Sequence, residues 1–192
     1  MKDRMLRGAL YIADDPALKA DHARAQELLE RYNATRHGAQ AERDRLLRSL
    51  LGSVGDGVVL KPTFRCDYGR SITIGAGTFV NYDCVMLDAA PITIGTACQI
   101  ASRVQLLTAT HPIAPEPRRR GWEYAKPITL GDNVWLGGGV IVCPGVSIGD
   151  ETVVGAGAVV TRDLPPGVVA FGAPARVHRT IGERDRTAMP EC

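Results

Sequence analysis

The stretch KPITLGDNVWLGGGVIVCPGVSIGDETVVGAGAVVTRDL, residues 126–164, repeats every six residues. Leu130, Leu136, Val142, Ile148, Val154 and Val160 stand six apart without a miss. Four residues beyond each come Val134, Val140, Val146, Thr152, Ala158 and Leu164, all small, branched or apolar. That period matches neither the apolar face of a helix nor the alternation of a half-wet strand. It matches a parallel β-helix, in which each hexapeptide forms one side of a coil and points one aliphatic side chain inward.

The pattern extends upstream. Ile-Thr-Ile-Gly at 72–75 returns at 92–95, with variants at 128–131 and 146–149. Ile74, Val80 and Met86 keep the six-residue step, as do Ile94, Ile100 and Leu106. The offsets between tetrapeptides, 20, 36 and 18 residues, predict 18-residue coils with one two-residue insertion. Gly75, Gly95, Gly131, Gly137, Gly149 and Gly155 follow inward aliphatics and are expected at tight corners. No coil buries its own core, so stability must come from stacked neighbours.

Composition agrees with a narrow coil. The chain of 192 residues is 45% hydrophobic but only 5% aromatic, with 21 glycines and 12 prolines. A net charge of +2, from 23 basic and 21 acidic residues, argues against nucleic acid or an anionic membrane as the main partner. No segment approaches the roughly 18 to 20 apolar residues of a membrane span. Residues 1–11 lack the apolar run and cleavage site of a signal peptide. Cys66, Cys84, Cys98, Cys143 and Cys192 form no CxxC pair and read as free thiols, with Cys66 and Cys84 stacked in the core. A cytoplasmic, reduced protein is expected.

The first part of the chain has helical spacing. Ala25, Leu28, Leu29 and Tyr32 form one stripe within 21–32, and Leu46, Leu47, Leu50 and Leu51 another within 39–51, with Gly52 as a C-terminal cap. The expected organisation is a helical segment over 1–55, a β-helix over 56–180 carrying an extruded loop at 108–127, and a tail at 181–192.

That loop, within TATHPIAPEPRRRGWEYAKPI, breaks the repeat with Pro112, Pro115, Pro117 and the run Arg118 to Arg120, which reads as solvated. A long loop on a rigid solenoid is a common place for function. His111 stands at its root, beside Pro112, which restricts its backbone. His22, His37 and His178 make no ligand spacing with it, so no metal site is expected. A Ser-His-Asp arrangement lacks its nucleophile turn. A lone general base acting on a hydroxyl remains, and imidazole suits it at neutral pH.

The stretches PTFRCDYG (62–69), NYDCVMLD (81–88), TATHPI (108–113), KPITLGDNVWLGGG (126–139) and GAPARV (172–177) are narrower than hexapeptides alone. In these the chain resembles the hexapeptide-repeat sugar O-acetyltransferases, the family of the maltose, galactoside and nodulation-factor acetyltransferases. The resemblance runs from Gly8 to about Arg179 and is nearest to the maltose-acting branch. It implies a mainly β fold, a left-handed parallel β-helix, and a homotrimer with active sites between subunits. It also implies acetyl-CoA as co-substrate, with no permanently bound cofactor.

Position by position, the resemblance makes His111 the general base and places Asn81 beside it, bonding acceptor and acetyl group. A backbone N–H near Gly138 becomes the oxyanion donor. It sets Asp67, Asp88 and Tyr11 at the acceptor. Gly138, Ala156, Thr161 and Arg162 line the pantetheine arm, and Arg176 and Arg179 meet the CoA phosphates. Glu123 is expected to hold the His111 imidazole in its working tautomer. Ala13 departs from the family, standing where galactoside enzymes carry an acceptor-binding aspartate. Three functions stay open on this reading: acetyl transfer to maltose, glucose or a related sugar; the same chemistry on an oligosaccharide, serine or antibiotic hydroxyl; and a non-catalytic binding β-helix.

Overall fold

The computed structural model describes residues 1–185 and 187, so Cys192 and half of the 181–192 tail lie outside the described residues. Three helices precede the coil: α1 (Lys2–Leu6), α2 (Pro16–Asn33) and α3 (Gln40–Leu50). α2 begins five residues before the stripe that predicts it. Asp15 caps it by accepting the Ala17 N–H at 2.9 Å, and Pro16 supplies a first residue that needs no hydrogen bond. Asp15 also receives the chain's terminal ammonium, 2.7 Å away. Leu29 and Tyr32 of α2 and Leu46, Leu47 and Leu50 of α3 pack on Leu60, Phe64 and Ile72 of the first coil, so the helices plug its open end.

Gly52 is not a left-handed cap. α3 runs into Leu51 in extended conformation, and Gly52 donates its N–H to the Gly69 and Ile72 carbonyls. A Cβ there would run into the Arg70 carbonyl, so glycine is required for close approach.

From Ser53 the chain winds into three parallel sheets. The first stacks Ser53–Val54, Ile72–Ile74, Ile92–Ile94, Ile128–Leu130 and Ser147–Ile148. The second stacks Val59–Leu60, Phe79–Val80, Gln99–Ile100, Trp135–Leu136, Val153–Val154 and Val168–Gly172, and Ala175–Thr180 folds back antiparallel to close it. The third stacks Phe64–Cys66, Cys84–Leu87, Gln105–Leu107, Ile141–Val142 and Val159–Val160. Every inward aliphatic of the six-residue pattern is buried, including Leu130, Leu136, Val142, Ile148, Val154 and Val160. Each stabilises the fold by roughly 1.5–3 kcal/mol relative to exposure.

The coil lengths differ from the sequence expectation. Val54 pairs with Ile74 and Ile74 with Ile94, so the early coils span 20 residues each. Ile94 pairs directly with Leu130, which makes the 36-residue offset one coil with a long excursion rather than two coils. The cysteines shift likewise: Cys84 lies in register with Phe64 and Cys66 with Met86, so the two buried thiols do not stack on each other.

The repeat glycines also work differently from simple corners. A Cβ on Gly75 would sit 2.5 Å from the Gly95 carbonyl carbon, so glycine lets successive coils touch. The left-handed backbone comes two residues later, at Gly77 (69°), Ala97 (53°), Asn133 (53°) and Glu151 (58°). Asp132 and Asp150 cross-link these corners by accepting the Thr96 and Asp132 amides at 2.6 and 2.8 Å.

Candidate active site

The excursion between Leu107 and Ile128 forms a small antiparallel hairpin, Ala109–Thr110 against Tyr124–Ala125, with the short helix α4 (Pro115–Arg119) at its tip. Tyr11 joins this hairpin through paired backbone bonds to Glu123, at 2.9 and 3.0 Å. A second apolar cluster, Met5, Tyr11, Leu18, Ala89, Ala90 and Ala125, fixes the N-terminal segment to the hairpin and the coil. The N-terminus and the loop, more than a hundred residues apart in sequence, are thereby one wall.

That wall encloses a cavity of about 290 Å³. Tyr11, Ala13, Leu18, Lys19 and His22 come from the N-terminal part, Asp67, Tyr68 and Ala89 from the coil, and Ala109 and Glu123 from the hairpin. Burial pushes the Asp67 carboxyl up to about 6, with the nearby Asp88 and Glu123 charges adding to it and His22 opposing it. Burial raises Tyr68 to about 12, and burial with the Glu123 charge raises Tyr11.

His111 stands exposed at the root of the hairpin, two residues after cavity-lining Ala109. Its Nδ1 lies 3.3 Å from the Trp122 carbonyl oxygen. Glu123, expected to orient His111, lines the cavity with Tyr11, and the hydrogen-bond partner of His111 Nδ1 is the carbonyl of the residue before it. Sequence reasoning missed Arg118, read there as solvated: its guanidinium donates to the Pro112 and Ile113 carbonyls at 3.0 and 2.7 Å. It thereby braces the backbone next to His111.

Asp88 does not face the cavity. It is fully buried, and its carboxylate accepts the backbone N–H groups of Asp67 (3.1 Å), Tyr68 (2.8 Å) and Ser71 (3.2 Å). This corrects its expected place at the acceptor: it holds the turn that presents Asp67 and Tyr68. His22 and Tyr68 are wall residues that spacing alone did not mark, although Tyr68 falls inside PTFRCDYG.

The remaining site residues lie along the coil. Asn81 borders a second cavity with Phe79, Gln99, Ala101 and Trp135, and its Oδ1 accepts the Tyr82 amide at 2.8 Å. His111 is not among that cavity's walls. Gly138 and Ala156 occupy the same corner of successive coils, where Gly157 donates to the Gly138 carbonyl at 2.9 Å. Among the described residues, the Gly138 and Ala156 amides donate to no protein acceptor. Thr161 and Arg162 are exposed one corner further on. Arg176 is exposed on the closing hairpin, whereas Arg179 is held by both carboxylate oxygens of Asp185 at 2.6 Å. Among the described residues, no three His, Cys, Asp or Glu side chains group as metal ligands, and no helix is long and apolar enough to cross a membrane.

A hexapeptide coil with a histidine-bearing loop and a cavity beside it defines a hexapeptide-repeat transferase. Residues 4–55 match the maltose acetyltransferase hexapeptide capping motif, and residues 127–162 match the bacterial transferase hexapeptide with six repeats. The chain is 49% identical to nodulation protein L of Rhizobium meliloti (strain 1021) over 92% of its own length and 96% of the relative's. It superimposes on a maltose O-acetyltransferase from Clostridium difficile 630 with TM-score 0.93 and 45% identity, covering 95% of this chain and 97% of that one. A galactoside acetyltransferase in complex with coenzyme A gives TM-score 0.95 at 36% identity, covering 100% and 96%. The chain belongs to the hexapeptide-repeat O-acetyltransferases of the maltose and galactoside type.

Proposed function

We propose that the protein transfers acetyl from acetyl-CoA to a hydroxyl of maltose, glucose or a related sugar, with His111 as general base. The observation that carries the reading is the His111–Trp122 contact beside the Tyr11–Glu123 wall of the cavity. A carbonyl can only accept, so Nδ1 carries the proton and Nε2 keeps its lone pair. Nε2 takes the proton of the acceptor hydroxyl as that oxygen attacks the thioester carbonyl. The tetrahedral oxyanion receives the unpaired Gly138 N–H, an interaction worth several kcal/mol in a water-poor site. Collapse breaks the carbon–sulfur bond, and the thiolate of CoA takes the proton from His111.

Asp67, Tyr11 and Glu123 border the acceptor, and Asn81 bonds acceptor and acetyl group. Gly138, Ala156, Thr161 and Arg162 follow the pantetheine arm, with Arg176 and Arg179 at the phosphates. Active sites between the subunits of a homotrimer fit one further feature. Trp135, Phe171 and Val177 are 54%, 47% and 45% exposed, all on the seven-stranded sheet, an apolar face that calls for a partner.

The test is thiol release from acetyl-CoA over a panel of sugars, with His111→Ala alongside the parent protein. Release with maltose or glucose, falling at least about a hundredfold in the variant, is the expected result. Release that survives the substitution overturns the base assignment.

A further inference from the structure

The loop that carries His111 has two sides, and different atoms hold each. On the outgoing side Pro112 has no N–H to give, and among the described residues the Pro112 and Ile113 carbonyls accept no backbone N–H. Ile113 adds no packing there, being 93% exposed. One side chain meets both carbonyls: Arg118 Nη1 donates to them at 3.0 and 2.7 Å. The returning side folds back on α4. Gly121 donates its N–H to the Arg118 carbonyl at 3.0 Å, and Trp122 donates to the Pro117 carbonyl at 3.1 Å. The Arg4 guanidinium also lies over the Trp122 ring, 5.8 Å from its centre. The Trp122 carbonyl then meets His111 Nδ1 at 3.3 Å. Arg118 therefore joins the two sides. Its carbonyl helps hold the side that supplies the imidazole's partner, and its guanidinium holds the side that supplies the imidazole.

The neighbouring arginines are placed differently. Arg119 is exposed and pairs with Glu116, 2.5 Å away on the same helix. Among the described residues, Arg120 enters the network only through its backbone N–H, 3.2 Å from the Glu116 carbonyl. A charged donor makes stronger bonds to carbonyls than a neutral one. It matters here because α4 has five residues, too few for a helix to hold its shape alone. We propose that Arg118 is a positioning residue for acetyl transfer: by fixing Pro112 and Ile113 against α4 it keeps His111 Nδ1 on the Trp122 carbonyl and leaves Nε2 as the free base. This rests on the general-base reading above. The proton of a neutral imidazole follows the hydrogen bond offered to each nitrogen, so losing the carbonyl returns the ring to a mixture in which Nε2 is partly protonated and cannot accept.

The test uses the full chain and two readouts. The first needs no acceptor: the imidazole nitrogen NMR spectrum with the rings neutral, the His111 signals assigned by their loss in His111→Ala. The Nδ1–H tautomer is expected in the parent and a mixture in Arg118→Ala. The second is thiol release from acetyl-CoA with maltose and glucose. Arg118→Ala is expected to lower kcat at least about tenfold, with the KM for acetyl-CoA changed less than about twofold. Both bonds leave one nitrogen, so the ammonium of Arg118→Lys can replace them and should bring kcat back to within about threefold of the parent. Arg119→Ala and Arg120→Ala should each stay within about twofold of the parent. In a His111→Ala background Arg118→Ala should add less than about twofold, because its effect runs through the missing ring.

An unchanged tautomer, an unchanged kcat, a loss confined to the KM for acetyl-CoA, no recovery in Arg118→Lys or an equal loss at Arg119 overturns the inference and leaves the base assignment standing. Arg118 is exposed and outside the coil, so Arg118→Ala should keep the parent's urea midpoint. A midpoint that falls with kcat makes the role structural and overturns the inference as well. Release that survives His111→Ala overturns the base assignment and this inference with it.

Discussion

The Nδ1 of His111 and the carbonyl oxygen of Trp122 lie 3.3 Å apart across the base of the hairpin, and that contact decides which imidazole nitrogen is free. Trp122 precedes Glu123, which is paired by its backbone to Tyr11. The tautomer of the histidine is therefore tied to the seating of the N-terminal segment. Weakening that seating by Tyr11→Ala removes a fully buried ring from the wall and is expected to lower kcat at least about tenfold, the scale of a general base held out of place. The pH–rate profile distinguishes this from simple unfolding: its acid limb shifts, because the imidazole loses its fixed acceptor. An unchanged profile with full activity would remove the link.

Asp88 predicts a stability effect rather than a binding effect. Its carboxylate satisfies the amides of Asp67, Tyr68 and Ser71, and Asp88→Ala leaves those donors without their acceptor. Buried unsatisfied donors cost about 1–3 kcal/mol each, so a loss of at least about 2 kcal/mol is expected in urea unfolding, alongside a raised KM for the acceptor. A variant as stable as the parent would show that water replaces the carboxylate at this turn.

Asp67 carries the opposite sign. Its folded-state pKa, about 6, stands above the ordinary carboxylate range, so the folded protein holds that proton more tightly than the unfolded chain does. The stability this provides is complete below about pH 4 and is lost as pH rises through 6. Asp67→Asn removes the ionisation and should stabilise the protein at pH 7.5 by about 1–2 kcal/mol, after allowance for solvent at the cavity mouth. In thermal unfolding that is a Tm higher by about 2–8 °C, with the two proteins converging near pH 4. A difference that persists unchanged at pH 4 would contradict the assignment.

The coil was legible because its inward positions repeat locally, and each aliphatic from Leu130 to Val160 can be counted without knowing its neighbours. The 36 residues between Ile94 and Leu130 misled because an excursion of about one coil's length imitates a coil. His111 stood out where the repeat broke. The partner of its ring did not, since a backbone carbonyl leaves no mark in a sequence. Asp67 and Asp88 look alike as letters, and only the fold shows that one faces the cavity and the other the amides beneath it. The wall pairing of Tyr11 with Glu123 is a contact between distant parts of the chain that no periodicity reports.

Gly75 predicts how closely the coils must approach. Its missing Cβ would lie 2.5 Å from the Gly95 carbonyl carbon, a backbone atom that cannot swing away. Gly75→Ala must spread two coils or break the ladder bond from its own N–H to the Ile94 carbonyl, now 2.8 Å. The expected loss is about 1–3 kcal/mol, read as a lower midpoint in urea, although nothing at the cavity is touched. An unchanged midpoint would mean that the stack yields at this corner.

Arg176 and Arg179 separate two contributions to coenzyme binding. Arg179 donates from both terminal nitrogens to Asp185, so a phosphate must compete with a carboxylate already in place. Arg176 makes a single bond to its neighbour's carbonyl, at 2.8 Å, and keeps most of its donors for an anion. Arg176→Ala is therefore expected to raise the KM for acetyl-CoA about tenfold, the loss of one charge-assisted interaction, with kcat changed less than about twofold. Arg179→Ala should raise it less, because part of what it removes is the Asp185 pair. Kinetics at fixed sugar concentration decide the order of the two. A larger effect at Arg179 would mean that Asp185 releases the guanidinium when the phosphates arrive, and Asp185→Asn would then lower the KM for acetyl-CoA.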